Sequence, residues 1–332
     1  MPAASVVICT HDRAALLRRA VDGALGEAAA HDAEVLVVDN ASRDDTPEIL
    51  EALVREHGGR VRAVHEPELG LSAARNRGLA AARSPIVVYL DDEATPRPGW
   101  LAALLAPYRE PAVACVGGRI VLRFEGTPPP WLVPPLDAAL SAYDQGDRPR
   151  RLRYRPGDVY PFGANISFRV KDAVAAGGFS TAVGPLGRRQ LVHDETDLCF
   201  RLDVAGREIH YAPAAVVDHL VVAERLSPAW ILRRHYLGGV SGATFEIKNR
   251  GLWRALGKLR WYYRPRVTWE RYVPREPVDA ASLVRACARR EALGYAAGLV
   301  RGTLRLRELR REGPPHPIAP FPALHPDGAA RP

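Results

Sequence analysis

The first hundred residues alternate between two patterns of apolar positions. Short β-branched runs with little polar alternation occupy Ser5–Thr10 (SVVICT), Glu34–Asp39 (EVLVVD), Arg60–His65 and Pro85–Leu90 (PIVVYL). Such runs suit strands covered on both faces, as in a parallel sheet. Between them, Ala14–Gly26, Thr46–His57 and Leu71–Ala82 carry apolar residues at helical spacing. Thr46 followed by Pro47 predicts a helix start, with Thr46 as N-cap and proline in the first turn. Repeated strand–helix units predict an α/β fold, a doubly wound, mostly parallel sheet flanked by helices.

Beyond residue 110 the pattern changes. Val116–Phe124 reads as a strand, and Thr127–Pro135 as a Pro-rich loop containing Trp131. Residues 136–157 are polar and Arg-rich without a clear period, which predicts a surface excursion. Strand character returns at Pro161–Arg169 and helical character at Val170–Ala176 and Asp194–Ala205, followed by a strand at Glu208–Ala212. From about residue 221 a basic, aromatic-rich helical extension runs to about 312, and 313–332 reads as a disordered tail.

Composition narrows the class. Apolar residues are 47% and charged residues 25% of the chain, ordinary for a packed globular protein. The formal charge of +8 is carried almost wholly by arginine. It reflects either a compositional bias or an anionic partner, such as nucleotide phosphates, a phosphorylated carrier or a membrane surface. Cys9, Cys115, Cys199 and Cys287 form no CxxC pair. That spacing argues against a zinc site or a disulfide framework and fits a reducing cytoplasm. No apolar run approaches the roughly 18–20 residues needed to cross a bilayer, so membrane contact is expected to be peripheral, on the inner face.

Three of the predicted strands end in polar clusters: Thr10-His11-Asp12-Arg13, Asp39-Asn40-Ala41-Ser42 and Asp91-Asp92-Glu93. Open parallel sheets bind ligands beyond the carboxyl ends of their strands, so these clusters should share one edge. Three adjacent carboxylates after IVVYL are costly if buried alone. A divalent cation on a diphosphate would resolve that cost, because Mg2+ and Mn2+ favour oxygen ligands; a solvated acidic turn would resolve it equally. Asp39 suits a base or ribose hydroxyl, or an Asx turn, and Arg75 suits phosphate or solvent. In His193-Asp194-Glu195-Thr196-Asp197 the carboxylates fall in the first turn of a predicted helix. There the macrodipole favours the ionised form needed by a general base, or they simply cap the helix. His219 is a candidate metal ligand or a packed histidine.

Together these segments resemble the family 2 glycosyltransferases of GT-A fold. SVVICTHDR resembles their opening strand and nucleotide loop, EVLVVDNASRDDT their second strand, and GLSAARNRGLAAARSPIVVYLDDEATP the helix and strand leading to the DxD motif. PFGANISFR, GGF and HDETDLCFRL resemble the acceptor-side segment with its acidic motif. The resemblance spans about residues 5–245. It implies a catalytic domain over 1–220, with a nucleotide-sugar half to about 110 and an acceptor half over 111–220. It implies that Thr10, Asp39 and Arg75, with the first-loop residues Asp12 and Arg13, contact the nucleotide-sugar. Asp91 and Asp92 would hold ribose and diphosphate. Glu93, with Asp91 and His219, would bind Mn2+ or Mg2+. Glu195 would act as base, with Asp194 as neighbour and reserve. The implied reaction inverts the anomeric centre in a single displacement, from a UDP-, dTDP- or GDP-sugar to a glycan, lipid-linked or small-molecule acceptor. Three positions depart from the family pattern: Glu93 where Asp is usual, His-Asp-Glu where Gly-Glu-Asp is usual, and His11 where an aromatic residue is common.

Arg225, Arg233 and Arg234 precede HYLGG, placing a basic loop where it can close over a donor diphosphate. Residues 250–275 interleave arginines with Trp253, Trp261, Tyr262, Tyr263 and Trp269, a pattern suited to a membrane surface, to sugar stacking or to an amphipathic packing helix. No nucleic-acid module is recognisable. Two rival classes remain: a nucleotidyltransferase, whose glycine-rich phosphate loop CTHDRAALLRR lacks, and a sugar-binding domain without turnover. A dinucleotide oxidoreductase is disfavoured because no GxGxxG follows a strand.

Overall fold

The computed structural model describes residues 2–183, 192–262, 279–305 and 309. The tail at 313–332 and the aromatic positions Tyr263 and Trp269 lie outside the described residues, as do the side chains of Trp261 and Tyr262.

The amino-terminal half follows the apolar pattern closely. Strand β1 (Ser5–Thr10), helix α1 (Ala14–Ala29), β2 (Glu34–Asp39), α2 (Thr46–His57), β3 (Val61–His65), α3 (Leu71–Ala81) and β4 (Ile86–Asp91) alternate in chain order. All six residues of β2 are buried, as its unbroken apolar run requires of a strand covered on both faces. Helix α1 buries Leu17, Ala20, Val21, Ala24, Leu25 and Ala28, a stripe at helical spacing. Helix α2 starts one residue before the expected place. Asp45 is its boundary residue, because the Thr46 hydroxyl instead accepts a hydrogen bond from the Arg13 N–H, tying the two polar loops together.

The remaining elements are β5 (Ala94–Pro96), α4 (Trp100–Leu105), β6 (Val113–Phe124), β7 (Arg150–Leu152), β8 (Asn165–Arg169), α5 (Val170–Ala175), α6 (Asp194–Val204), β9 (Glu208–Val221), α7 (Pro228–Arg250), α8 (Leu252–Tyr262) and α9 (Ala280–Leu304). One sheet runs β3-β2-β1-β4-β8-β6-β9-β5, with β7 also on β9. Strands β3, β2, β1 and β4 are parallel, β8 runs antiparallel to both β4 and β6, and β6 and β9 are again parallel. Register places Thr10 opposite Asp39 and Cys9 opposite Asp91, so the polar ends of β1, β2 and β4 share one edge.

Two expectations change. Strand β9 is far longer than Glu208–Ala212: it continues through His219, with a register break opposite Gly118/Arg119 where Pro213 and its neighbours interrupt the ladder. Residues 136–157 are not wholly a surface excursion. Leu136, Leu140, Tyr143 and Leu152 are buried, and a 3-10 turn at Leu136–Leu140 packs with Trp131, Ile231, Leu283 and Cys287 under the carboxy-terminal helices. These apolar residues are spaced too widely among arginines to show a period.

Helices α7 and α9 touch backbone to backbone. A Cβ on Gly294 would stand 1.9 Å from the Tyr236 carbonyl oxygen, and one on Gly239 2.1 Å from that of Glu291. Only glycine permits this approach, which brings residues of both helices to the edge of the sheet. Cys115 and Cys199 are buried free thiols with sulfurs 3.7 Å apart, a proximity invisible in their sequence spacing.

Candidate functional site

Two neighbouring cavities lie at the carboxyl edge of the parallel strands. The smaller, about 240 Å3, is walled by the ends of β1 and β4 and the start of α3; Thr10, Arg13, Asn40, Gly70, Asp91, Asp92 and Glu93 contribute to it. The larger, about 380 Å3, is walled by α3, α6 and α7, and includes Arg75, Phe162, Asp194, Glu195, Arg234 and His235, with Glu291 from α9. Leu71 and Asp91 line both.

In the smaller cavity the Thr10 hydroxyl donates to Asp92 Oδ2 at 2.8 Å. Burial pushes Asp92 up to about 7 against that hydrogen bond. Glu93 is buried and fully engaged: Arg225 donates from Nη1 to Oε1 at 2.5 Å and from Nη2 to Oε2 at 2.9 Å. Against the upward push of burial, His219 and Arg225 hold Glu93 down to about 2. His219, 1% exposed, points Nε2 at Glu93 Oε1 (3.3 Å) and Asp91 Oδ2 (3.9 Å), yet neither ring nitrogen has a hydrogen-bond partner. Burial alone would lower this imidazole, but the two carboxylates raise it to about 9.

Asp91, Glu93 and His219 therefore converge, although they come from β4, the turn after it and distant β9. Among the described residues no group of three His, Cys, Asp or Glu side chains already stands in metal-holding geometry. The donor set still fits a divalent cation. Two carboxylates and a buried imidazole nitrogen lie together, and a cation must displace both the Arg225 guanidinium on Glu93 and the proton that the raised His219 carries.

In the larger cavity Asp194 is buried and pinned, accepting from Arg75 Nη1 at 2.7 Å and Ser72 Oγ at 3.1 Å. Burial pushes Asp194 up to about 7 despite Arg75. Glu195 faces the cavity more openly, with its side chain 16% exposed. The Gly163 N–H donates to its Oε1 at 3.0 Å, and Arg75 lies 3.6 Å from Oε2. Burial works to raise Glu195, but Asp194, Arg75 and backbone N–H groups outweigh it and hold the carboxylate ionised below its ordinary range. Gly163 has no side chain because Arg75 fills the space: a Cβ there would stand 1.8 Å from Arg75 Nη2.

Other predicted residues sit differently. Arg75 lines the larger cavity rather than the smaller one, bound to Asp194 and stacked over Phe179 (5.6 Å). Asp39 lies beneath the edge, accepting from the Ser42 N–H and facing His65 Nδ1 at 3.1 Å. Asp12 turns toward the second loop, where its Oδ1 accepts from the Arg43 N–H. Residues not singled out from sequence also build the walls. Asn40 clamps the start of α3, donating to the Glu66 and Glu68 carbonyls and accepting from the Gly70 N–H. His235 and Glu291 face each other at 3.5 Å from α7 and α9. The position of Asn40, directly after Asp39 at a strand end, was the available signal; nothing local marks Glu291.

The family profile for glycosyl transferase family 2 matches residues 5–172, just over half the chain. The chain belongs to glycosyl transferase family 2. Beyond the profile, this family 2 chain is 34% identical over 248 residues to the pre-mycofactocin glycosyltransferase of Mycobacterium tuberculosis. That match takes in 74% of the chain and spans about half the relative's length, 48%. Against the glucosyl-dolichyl phosphate glucuronosyltransferase of Haloferax volcanii, identity is 23% over 73% of the chain and 77% of the relative. The fold matches that of the mannosyltransferase PcManGT from Pyrobaculum calidifontis, solved with GDP-Man and Mn2+. There the TM-score is 0.54 at 20% identity, over 92% of this chain and 87% of that one.

Proposed function

We propose that this family 2 chain transfers a sugar from a UDP-, dTDP- or GDP-sugar to an acceptor hydroxyl with inversion, assisted by Mn2+ or Mg2+. The observation that carries the reading is an ionised, cavity-facing Glu195 one wall away from the carboxylate edge, with Asp91 common to both cavities. The smaller cavity takes the nucleotide diphosphate and the larger takes the acceptor. The bound GDP-Man and Mn2+ of the mannosyltransferase of like fold support this donor class.

Glu195 accepts the acceptor proton as the acceptor oxygen attacks the anomeric carbon, and the bond from that carbon to the diphosphate oxygen breaks. Nucleoside diphosphate leaves, and no covalent intermediate forms. The Gly163 N–H and Arg75 orient the Glu195 carboxylate, and Asp194 fixes Arg75 in turn. Thr10 and Asp92 present polar groups to the donor, with Asp12 and Asp39 shaping the loops behind. A divalent cation held by Asp91, Glu93 and His219 would stabilise charge on the leaving diphosphate. The first 220 residues form the catalytic unit, and the helices after Val221 complete its acceptor wall through Arg234, His235 and Glu291. Trp253, 85% exposed beside exposed Arg254 on α8, supports peripheral membrane contact. Loss of co-sedimentation with anionic vesicles in Trp253→Ala would test that contact, and unchanged sedimentation would refute it. No helix among the described residues is long and apolar enough to cross a membrane.

The direct test is a nucleotide-sugar panel scored for nucleoside diphosphate release, with and without Mn2+, with donor binding followed by calorimetry. Metal-dependent binding and release from one donor are expected. A chain that binds no nucleotide-sugar, with or without metal, would overturn the proposal.

A further inference from the structure

We infer that Arg225 is a resident counter-cation that keeps Glu93 closed to free divalent cations and releases it only to a cation arriving with a diphosphate. The inference rests on the metal-assisted reading above. Asp91 lines both cavities, and His219 lies buried with Nε2 3.3 Å from Glu93 Oε1 and 3.9 Å from Asp91 Oδ2. Glu93 differs from both. Its two oxygens are each taken by one nitrogen of the Arg225 fork, the arrangement in which a guanidinium best satisfies a buried carboxylate.

A hydrated cation approaching Glu93 alone must displace both charge-assisted hydrogen bonds, shed water, and leave Arg225 without a carboxylate. A diphosphate changes that balance, because its oxygens beside Glu93 offer the displaced guanidinium a new bidentate anion. Arg225 is placed to make the exchange. It ends the short 3-10 turn Ala223–Arg225 between β9 and α7, its side chain is 21% exposed, and its guanidinium carbon lies 6.0 Å from the Trp230 ring. Arg13, 3.9 Å from Glu93 Oε2, is a second cation on the same side and remains there when Arg225 swings. The result is coupled loading: nucleotide and cation raise each other's affinity, and Arg225 sets the size of that coupling.

The test is Mn2+ binding without turnover, read from the loss of the six-line electron paramagnetic resonance signal of free Mn2+. Wild type, Arg225→Ala and Arg225→Lys are titrated as full chains, with and without GDP or UDP. Without nucleotide, Arg225→Ala should bind Mn2+ about tenfold more tightly than wild type, a difference of about 1.4 kcal/mol. Arg225→Lys, which keeps the charge but not the fork, should fall between them. With a nucleoside diphosphate present, wild type should gain more Mn2+ affinity than Arg225→Ala does. Equal Mn2+ affinity for wild type and Arg225→Ala without nucleotide would overturn the inference and leave the metal-assisted reading standing. If no variant binds Mn2+ even with GDP or UDP, both fall together. Circular dichroism verifies folding of each variant, and should Arg225→Ala not fold, wild-type affinity in the Arg225→Lys variant overturns the inference.

Discussion

Gly163→Ala is the substitution that most directly probes how the Glu195 carboxylate is held. The added methyl would stand 1.8 Å from Arg75 Nη2 and 2.6 Å from its Cζ, so the guanidinium must move. The backbone N–H that donates to Glu195 survives the change, which isolates the effect on Arg75. Arg75 is 4% exposed and holds Asp194 at 2.7 Å, with Glu195 and Asp91 at 3.6 and 3.8 Å. Its terminal group is the free end of a long side chain, so it rotates away and the main chain stays in place. The cost is then the charge-assisted hydrogen bond, about 1.5–3 kcal/mol. It stays below the roughly 3–5 kcal/mol of a buried pair with one partner deleted. Urea denaturation reads the stability loss without needing an acceptor. Nucleoside diphosphate release should fall on the order of tenfold to a hundredfold. A double-mutant cycle with Arg75→Met decides the mechanism, because the methyl should cost little once the guanidinium is gone. An equal cost in both backgrounds would refute the account.

Three further outcomes follow from other contacts. Glu195→Gln should keep donor binding while lowering transfer by about a hundredfold or more, read as turnover beside calorimetry; wild-type turnover would remove Glu195 from the base role. Gly294→Ala should destabilise by roughly 1–3 kcal/mol through overpacking, since the new Cβ meets the Tyr236 carbonyl, whereas Gly257→Ala on α8 meets nothing within 4 Å and should be neutral or stabilising; matching urea midpoints would contradict this. Glu246 is buried, and although burial works to raise it, hydrogen bonds from Lys258 and Tyr154 and the charge of Arg250 hold it below the ordinary value of 4.5. A depressed carboxylate contributes stability above its unfolded value and loses it as pH falls through the folded one. Stability against urea should therefore fall less steeply from pH 6 downward in Glu246→Gln than in wild type, and identical slopes would exclude the pairing.

Those contacts differ in how far the chain's pattern announces them. EVLVVD and IVVYLD are legible as buried strands because continuous apolar runs leave little choice, and Asp39 and Asp91 follow as strand-end residues. The full length of β9 is not legible, because Pro213 and two alanines break the apolar run while the ladder resumes beyond them. The pairing of Glu93 with Arg225, 132 residues apart, belongs to tertiary structure alone. Gly163 is harder still, since its contribution is the space it leaves for another side chain. The meeting of His235 with Glu291 depends on two helices pressed together at glycines, which no local period encodes.

The two cavities share α3 and Asp91 and are otherwise walled by different stretches of chain, the strand ends on one side and α6, α7 and α9 on the other. Drift in the helices at the carboxy-terminal side can therefore reshape the larger cavity without disturbing the strand ends around the smaller one. Laboratory recombination can use the same seam: grafting α7 through α9 from one relative onto the sheet of another would exchange one wall of the larger cavity and keep the smaller one. Asp91 is the residue such chimeras must leave untouched, because it is where the two inherited halves have to agree.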